Sequence, residues 1–295
     1  LKRADVAMYQ AKAAGRNTMR FFDPALQAVA NAFIAFERDL RLGLERQEFE
    51  LHYQVQVDDG GHLTGVEALL RWRRGGQQLV PPVQFIPIAE ANGLILPLGQ
   101  WVLETACTQL KAWSLQPNRA RWTMAVNVSA LQFAQVDFVE CVGRALHKSG
   151  ANPALLKLEL TESMLIDDIE GVVAKMKAIK AYGVAFSLDD FGTGYSSLSI
   201  LKRLPLQQLK IDRSFVHDIL VDPNDAVIAR AIVALAHNLD LRVIAEGVES
   251  AEQRDFLTGI GCDAFQGYFF GHPVTALELP DPLRAAAPAP PVPPV

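Results

Sequence analysis

Short apolar runs of strand length alternate with stretches of helical periodicity along most of the chain. Eight runs have the length and composition of β-strands, and they lie near residues 49–57, 63–70, 122–128, 155–160, 184–189, 207–211, 241–246 and 263–266. From the third run onward helical patterns alternate with the strands, and helices are also predicted over residues 83–92 and 96–113. This alternation is typical of α/β proteins with a mostly parallel sheet.

The first two predicted strands are joined differently from the rest. Only residues 58–62 separate them, which is hairpin length and far too short for the crossover that parallel strands need. One strand of this pair is therefore expected to run against the others. Eight strands with mostly helical connections predict a (β/α)8 TIM-like barrel with one antiparallel strand at the start, and a doubly wound open sheet is the alternative.

Composition divides the chain into three segments. A barrel domain of roughly 250 residues accounts for most of the 295 residues, half of which are hydrophobic. Residues 1–14 have helical spacing that stops at Gly15, and the Asp23-Pro24 turn separates them from the rest. The last ten residues are almost wholly Pro, Ala and Val, which is typical of a disordered tail. We therefore predict an N-terminal segment over 1–24, a barrel over 25–285 and a tail over 286–295.

Charge and hydropathy narrow the class of partners. The formal net charge is −5 and the sequence pI is about 5.7, so no general basic surface is expected to bind DNA. The sequence has no run of 18 apolar residues and no secretory signal at its start, which predicts a cytoplasmic protein without membrane contact by this segment. An odd number of widely spaced cysteines favours reduced core thiols over disulfides or a zinc site: Cys107, Cys141 and Cys262.

Polar residues stand where the apolar strands finish. The active site of such a barrel lies at the carboxyl ends of its strands, so these residues are the candidates for chemistry. Seven of the eight predicted strands contribute one or more of them: Glu67, Asn127, Glu159, Asp189 and Asp190, Lys210 and Asp212, Glu246, and Gln266. Any one of them is explained equally well by a helix cap or a surface ion pair. Their recurrence on seven strands predicts a shared site.

The chemistry of this set favours divalent cations. Several carboxylates that meet without matching basic residues repel one another and raise their own pKa values unless cations lie among them. Ligation by carboxylate and amide oxygens points to Mg²⁺ or Mn²⁺ rather than zinc, and the adjacent pair Asp189 and Asp190 suits two ions about 4 Å apart that act on a phosphate ester. Lys210 is expected to position a water or neutralise developing charge, and a structural ion pair is the alternative for it.

Together these segments resemble the EAL family of cyclic di-GMP phosphodiesterases. The motif that names the family is Glu67-Ala68-Leu69, and the other matching stretches lie at 85–90, 127–129, 159–162, 189–195, 209–212, 245–249 and 266–268. The similarity covers about residues 30 to 280 in the family's order. It implies hydrolysis of cyclic di-GMP to linear pGpG, dependence on two Mg²⁺ or Mn²⁺ ions, inhibition by Ca²⁺ and a homodimer.

The resemblance also implies roles for individual residues. The ligands of the first metal would be Glu67, Asn127, Glu159 and Asp189. Those of the second would be Asp190 and Glu246, with Asp189 shared. Lys210 matches the lysine that assists the nucleophilic water, so the implied catalytic residues are Lys210, Glu67 and Glu246. Substrate contacts and other polar residues lining the site would be Gln54, Arg71, Asp212, Glu249 and Gln266. Glu162 matches the glutamate that anchors the loop after Asp190.

Two positions depart from the family pattern. Val55 stands where a proline usually follows the substrate-contacting glutamine, and His272 stands where a basic residue is frequent. Neither position belongs to the implied metal ligands. Residues 3–17 resemble the closing segment of a GGDEF diguanylate cyclase domain. This second resemblance implies a GGDEF domain upstream and allows for sensor domains in the full-length protein.

Other functions are consistent with parts of this pattern. A catalytically silent receptor would bind cyclic di-GMP through the same fold, although all the implied metal ligands are intact here. A lyase that enolises a sugar acid over Mg²⁺ would also use strand-end acids and a lysine, but it would not require the whole series of motifs. A purely structural domain would not need seven polar strand ends.

Overall fold

The computed structural model describes residues 24–165, 168–192 and 198–279. The predicted GGDEF remnant before residue 24 and the predicted tail over 286–295 lie outside these residues. None of the described helices is both long enough and apolar enough to cross a membrane.

Strands and helices alternate through the described chain. The strands are β1 (Phe49–Asp58), β2 (Leu63–Arg74), β3 (Gln78–Val80), β4 (Thr123–Asn127), β5 (Leu156–Thr161), β6 (Ala185–Phe191), β7 (Gln208–Ile211), β8 (Arg242–Ala245) and β9 (Ala264–Phe265). The helices are α1 (Pro24–Glu45), α2 (Pro82–Ala91), α3 (Ile95–Ser114), α4 (Ala130–Ala134), α5 (Phe138–Ser149), α6 (Ile169–Lys180), α7 (Leu198–Leu201), α8 (Arg213–His217), α9 (Pro223–Asn238) and α10 (Ala251–Gly259). Short 3-10 turns lie on both sides of β5, at Pro153–Leu155 and Glu162–Leu165.

Eight of these strands close into a barrel. The strand order is β1-β9-β8-β7-β6-β5-β4-β2-β3, and β1 also pairs with β2, which joins the two ends of the eight-stranded sheet. β1 is antiparallel to both of its neighbours, whereas β2 and β4 through β9 are parallel to one another. The predicted TIM-like barrel with one antiparallel strand is therefore confirmed, and the alternative of an open sheet is wrong because β1 pairs on both sides.

One strand was not predicted. β3 pairs antiparallel with the end of β2, where Trp72 lies opposite Val80, and it stands outside the closed barrel. β2 consequently extends to Arg74, four residues beyond its predicted end at residue 70. Three residues are too few to give a hydrophobic alternation in the sequence, so this short hairpin left no usable signal.

The buried apolar residues form two clusters. Apolar residues such as Leu158, Leu160 and Leu188 are fully buried and belong to the main hydrophobic cluster, which the surrounding helices complete. A second cluster beneath α1, α2 and α3 centres on Trp72, whose ring packs against Phe49 and Phe85. Because successive strand residues point to opposite faces, the residues between these apolar positions face the barrel interior.

The barrel interior is unusually polar. Side chains on non-adjacent strands bond across it: Lys157 of β5 donates to Gln208 of β7, and Lys210 of β7 contacts Glu67 of β2. Most barrels of this type fill the interior with layers of branched apolar side chains. In this barrel charged side chains replace apolar ones inside the wall, and they form the candidate site.

Substitution of Gly65 tests how closely the antiparallel hairpin packs against the first parallel strand. It is buried on β2 opposite Thr123 of β4, and a Cβ at this position would lie 2.6 Å from the Thr123 carbonyl oxygen. We expect Gly65→Ala to cost about 1–3 kcal/mol of the free energy of unfolding, which corresponds to a Tm lower by several degrees, as measured by thermal unfolding. Gly259→Ala is the control, since a Cβ there meets nothing within 4 Å. Equal Tm values for the two variants would contradict this packing.

Candidate active site

Lys210 lies at the centre of a group of acidic side chains at the carboxyl ends of the strands. Its Nζ is 2.7 Å from Glu159 Oε2, 3.2 Å from Asp189 Oδ1 and 3.6 Å from Glu67 Oε2. It also contacts Glu246 Oε1. The lysine is only 1% exposed. Four strands, β2, β5, β6 and β7, and the residue after β8 thus bring these groups to one place.

Glu67 is held from two sides. Its Oε1 accepts a hydrogen bond from Asn127 Nδ2 at 2.6 Å, and its Oε2 accepts one from Gln266 Nε2, also at 2.6 Å. Glu67 is 5% exposed. These donors and Lys210 together fix the orientation of the carboxylate before any ligand arrives.

A chain of glutamine amides supports Gln266. Gln56 Nε2 donates to Gln266 Oε1 at 2.9 Å, and Gln266 Nε2 donates to Gln54 Oε1 at 3.0 Å. Gln54 in turn donates to the carbonyl oxygen of Gly271 at 3.1 Å. The antiparallel strand β1 therefore supplies two amides to the interior, next to Glu67.

The consecutive residues Asp189 and Asp190 are separated by a local distortion of β6. The register with β7 shifts between Leu188 and Phe191, and Asp190 has a φ of 54°. A non-glycine residue in the left-handed region is uncommon and often marks a functional position. The Asp190 amide donates to Asp189 Oδ1 at 2.9 Å. Without this distortion, simple alternation would point the two side chains to opposite faces of the sheet.

A hydrogen bond joins the residues after Asp190 to the residue that follows β5. The amide of Gly192 donates to Glu162 Oε2 at 3.3 Å, and Glu162 is 4% exposed. Gly192 has a φ of 99°, where a side chain would be strained. This bond ties the start of the segment after Asp190 to the end of β5, which is the position the resemblance implies for the loop-anchoring glutamate.

The charges of the group are out of balance. Burial lowers the pKa of Lys210, but the carboxylates of Glu159 and Glu246, together with those of Glu67 and Asp189, outweigh burial and raise it well above its ordinary value. Burial raises the pKa of Glu67, but the Lys210 charge and the hydrogen bonds from Gln266 and Asn127 outweigh it and lower the pKa. Both shifts favour the charged forms of Lys210 and Glu67.

Three further acids have raised pKa values: Glu159, Glu246 and Asp190. Burial, with Glu67 and Asp189 nearby, raises the pKa of Glu159 to about 8 against the opposing charge of Lys210. Burial also raises the pKa of Glu246. Its side chain keeps 18% exposure, whereas that of Glu159 is fully buried, so the effect of burial is clearer for Glu159. The pKa of Asp190 rises to about 6 through burial and the charges of Asp189 and Asp212. Lys210 and the nearby Lys157 together are fewer than these carboxyl groups.

The donor set suits a hard divalent cation. Its atoms are carboxylate and amide oxygens, and Glu159 Oε1 is a buried acceptor without a hydrogen-bond partner among the described residues. Within the described residues no three Asp, Glu, His or Cys side chains form a ready-made metal site. The ammonium of Lys210 lies among these carboxylates and takes up their oxygens. The residues thus fit a metal chemically, and binding requires some of those oxygens to turn from Lys210.

Three predicted site residues are not among the contacts of Lys210 in the described part of the chain, although Asp212 lies close enough to Asp190 to raise its pKa. Arg71 is half-buried on β2 and donates from Nη1 to the Leu70 carbonyl oxygen at 2.9 Å. Asp212 caps α8 by accepting from the Ser214 amide at 3.0 Å, which is the helix-cap explanation for a strand-end acid. Glu249 is exposed at the start of the segment before α10. Their predicted contacts with substrate stay predictions.

Two interior residues were missed by the sequence analysis. Gln56 and Lys157 are 3% and 5% exposed, and they lie two residues from Gln54 and Glu159 on the same strand faces. Burial lowers the pKa of Lys157 to about 8, against the opposing charge of Glu159. Strand alternation was the available signal, because a residue two positions from an interior acid or amide shares its face.

The similarities to known proteins agree with this geometry. The family model of the EAL domain matches residues 37–273. MucR of Pseudomonas aeruginosa, a bifunctional diguanylate cyclase and cyclic di-GMP phosphodiesterase, is 47% identical over 277 residues, which are 94% of this chain and 40% of MucR. NbdA of the same organism, a cyclic di-GMP phosphodiesterase, is 42% identical over 286 residues, 97% of this chain and 36% of NbdA. The chain thus spans well under half the length of these relatives.

Solved structures show the same architecture. The phosphodiesterase of Pseudomonas aeruginosa MucR in complex with cyclic di-GMP superimposes with a TM-score of 0.79 at 47% identity, over 82% of this chain and 98% of that one. The EAL enzyme Bd1971 in its cGMP-bound form gives a TM-score of 0.80 at 35% identity, over 84% and 69% of the two chains. The family match spans most of the sequence and the barrel matches these structures, so the chain belongs to the EAL domain family.

Proposed function

We propose that this chain is a metal-dependent phosphodiesterase that hydrolyses cyclic di-GMP to linear pGpG. The observation that carries the proposal is the convergence of Glu67, Glu159, Asp189 and Glu246 on a single buried lysine. Such a surplus of carboxylates is a site for positive charge. Relatives that cover nearly the whole chain are named cyclic di-GMP phosphodiesterases, which supports the substrate.

Two divalent cations, Mg²⁺ or Mn²⁺, belong to the proposal. The residues that would hold the first are Glu67, Asn127, Glu159 and Asp189. Those that would hold the second are Asp189, Asp190 and Glu246. When bound, the ions would stabilise charge on the phosphoryl oxygens and lower the pKa of a water. The partnerless Glu159 Oε1 and the oxygen-only donor set support this assignment.

The chain's own residues have distinct parts in the reaction. Asn127 and Gln266 hold the Glu67 carboxylate in one orientation. Lys210 stays protonated and donates to the attacking water, so that the water approaches phosphorus in line with the departing 3′ oxygen. Arg71 has a planar guanidinium that suits a phosphate oxygen pair, and it must exchange its bond to the Leu70 carbonyl for the substrate.

The partners proposed for the full-length protein rest on the relatives. MucR combines a cyclase with a phosphodiesterase, and this chain covers only 40% of it, which supports an upstream GGDEF domain. A homodimer is proposed from the family resemblance. The alternative of a silent receptor shares the fold and the ligand, so it is separated from the enzyme only by looking for product.

The direct test incubates the purified chain with cyclic di-GMP and Mg²⁺ or Mn²⁺ and separates nucleotides by chromatography. The proposal expects linear pGpG to accumulate with metal and to stop with a chelator. Binding of cyclic di-GMP without any pGpG would identify a receptor, and it would contradict the enzyme.

Substitutions at the centre of the site should remove turnover. Glu67→Ala withdraws an acid held by two donors, and Lys210→Ala withdraws the central ammonium, so each is expected to lower kcat by at least about 1,000-fold. Circular dichroism checks that the barrel is retained. The matched controls, Glu170→Gln and Lys148→Met, change exposed charges and should leave kcat within two-fold. Wild-type turnover in either alanine variant would refute the assignment.

Calcium is expected to inhibit. Ca²⁺ takes more oxygen ligands at longer and more variable distances than Mg²⁺, so it should occupy the acids without supporting the geometry of the displacement. Adding excess Ca²⁺ to the Mg²⁺ assay should abolish pGpG formation, and removing it should restore the rate. Undiminished hydrolysis in excess Ca²⁺ would count against the ligand set.

The raised pKa of Glu159 predicts how stability depends on pH without metal. A carboxyl with a folded-state pKa of about 8 binds its proton more tightly than the unfolded chain does. The metal-free protein should therefore lose stability as pH rises from about 4.5 to 8. Glu159→Gln cannot ionise, so in EDTA its free energy of unfolding should exceed wild type by on the order of a few kcal/mol at pH 8 and match it near pH 4.

Chemical denaturation at several pH values measures this difference, with Glu170→Gln as the exposed control. Saturating Mg²⁺ should reverse the order at pH 8, because an ionised Glu159 is a proposed ligand and glutamine binds the cation less well. Parallel pH profiles for wild type and Glu159→Gln in EDTA would show that this carboxyl does not carry the shift.

A further inference from the structure

Gln56 occupies a buried position that the proposed reaction does not use. It lies on β1 one layer deeper than Gln54, on the same face, and is 3% exposed. The residue paired with it on β2 is Gly65, which presents no side chain to the Gln56 amide. On its other side β1 pairs with β9, where Val57 lies opposite Phe265, so the Gln56 amide lies beside Gln266 and bonds to it.

The hydrogen bonds around Gln266 have only one consistent direction. Gln266 Nε2 lies 2.6 Å from Glu67 Oε2, and the other oxygen of that carboxyl accepts from Asn127, so Gln266 faces Glu67 with its NH₂ group. The second hydrogen of that NH₂ group goes to Gln54 Oε1. The oxygen of Gln266 then points away from Glu67 and needs a donor, which the NH₂ group of Gln56 supplies at 2.9 Å. Turning the Gln266 amide over would set oxygen against oxygen at two of these three contacts.

We infer that Gln56 is a positioning residue: by donating to Gln266 Oε1 it locks the amide so that its NH₂ group holds Glu67 in the orientation that binds the cation. This inference rests on the proposed function, because it assigns Glu67 as a metal ligand. Gln56 touches neither Glu67 nor the reacting atoms and acts through Gln266. Groups that orient a ligand commonly change metal affinity or activity by about 10- to 100-fold when they are removed.

The test measures binding of Mn²⁺ alone by isothermal titration calorimetry, beside pGpG formation, for Gln56→Met, Gln266→Met and the double variant. Methionine keeps the length of the side chain and removes the amide. Gln56→Met should lower Mn²⁺ affinity about 10-fold. In the Gln266→Met background it should have no further effect, because the residue through which it acts is gone.

Gln253 is the matched control for a merely structural glutamine. It is also buried; it donates to the carbonyl oxygens of Val216 and His217 and accepts from the amides of Glu249 and Ser250, and none of these residues is a proposed metal ligand. Gln253→Met should lower the Tm without changing Mn²⁺ affinity. If Gln56→Met does not fold, Gln56→Asn withdraws the amide from Gln266 by one methylene and gives the same comparison.

Wild-type Mn²⁺ affinity in a folded Gln56→Met protein would overturn the inference. So would a double variant whose loss equals the product of the two single losses. A wild-type chain that binds no Mn²⁺ and forms no pGpG would contradict the proposed function, and the inference with it. An active wild type with an unaffected Gln56→Met variant would contradict the inference alone.

Discussion

The site depends on the burial of one ammonium group among several carboxylates. The contacts of Lys210 with four acids stabilise the metal-free barrel, yet they leave more negative than positive charge in a region where water is largely excluded. Burying unpaired charge is costly, and burial accordingly raises the pKa values of Glu159 and Glu246. Divalent cations offer a second way to compensate the same acids. The same surplus of carboxylates therefore explains both the proposed affinity for metal and the unfavourable charge of the site without it.

Strand alternation turns this electrostatic requirement into a defined geometry. The residues on either side of Glu159 pack outward against the helices, while Glu159 itself faces the interior. The antiparallel strand β1 contributes glutamine amides to the site. Its Gln54 pairs with Glu67 in the register of β1 and β2, and it accepts a hydrogen bond from Gln266. The distortion at Asp190 breaks the simple alternation of β6, as the proposed use of two consecutive acids in one site requires. Fold and chemistry therefore use the same residues.

Much of this arrangement follows from the sequence. The rule that polar residues at strand ends meet at one rim was enough to gather Glu67, Glu159 and Lys210. Local sequence did not reveal β3, which is too short to show a period, and it could not decide between a helix cap and a site role for Asp212. It also missed Gln56, because the value of that amide depends on Gln266, 210 residues away. Contacts across the barrel interior are set by closure of the sheet, which no single segment encodes.

The most direct measurement is anomalous diffraction from crystals of this chain grown with Mn²⁺ and cyclic di-GMP. The account predicts two manganese peaks about 4 Å apart at the mouth of the barrel, one bound by Glu67, Asn127 and Glu159 and the other by Asp190 and Glu246, with Asp189 between them. A map without peaks among these acids, or with manganese bound elsewhere while they still surround Lys210, would contradict it.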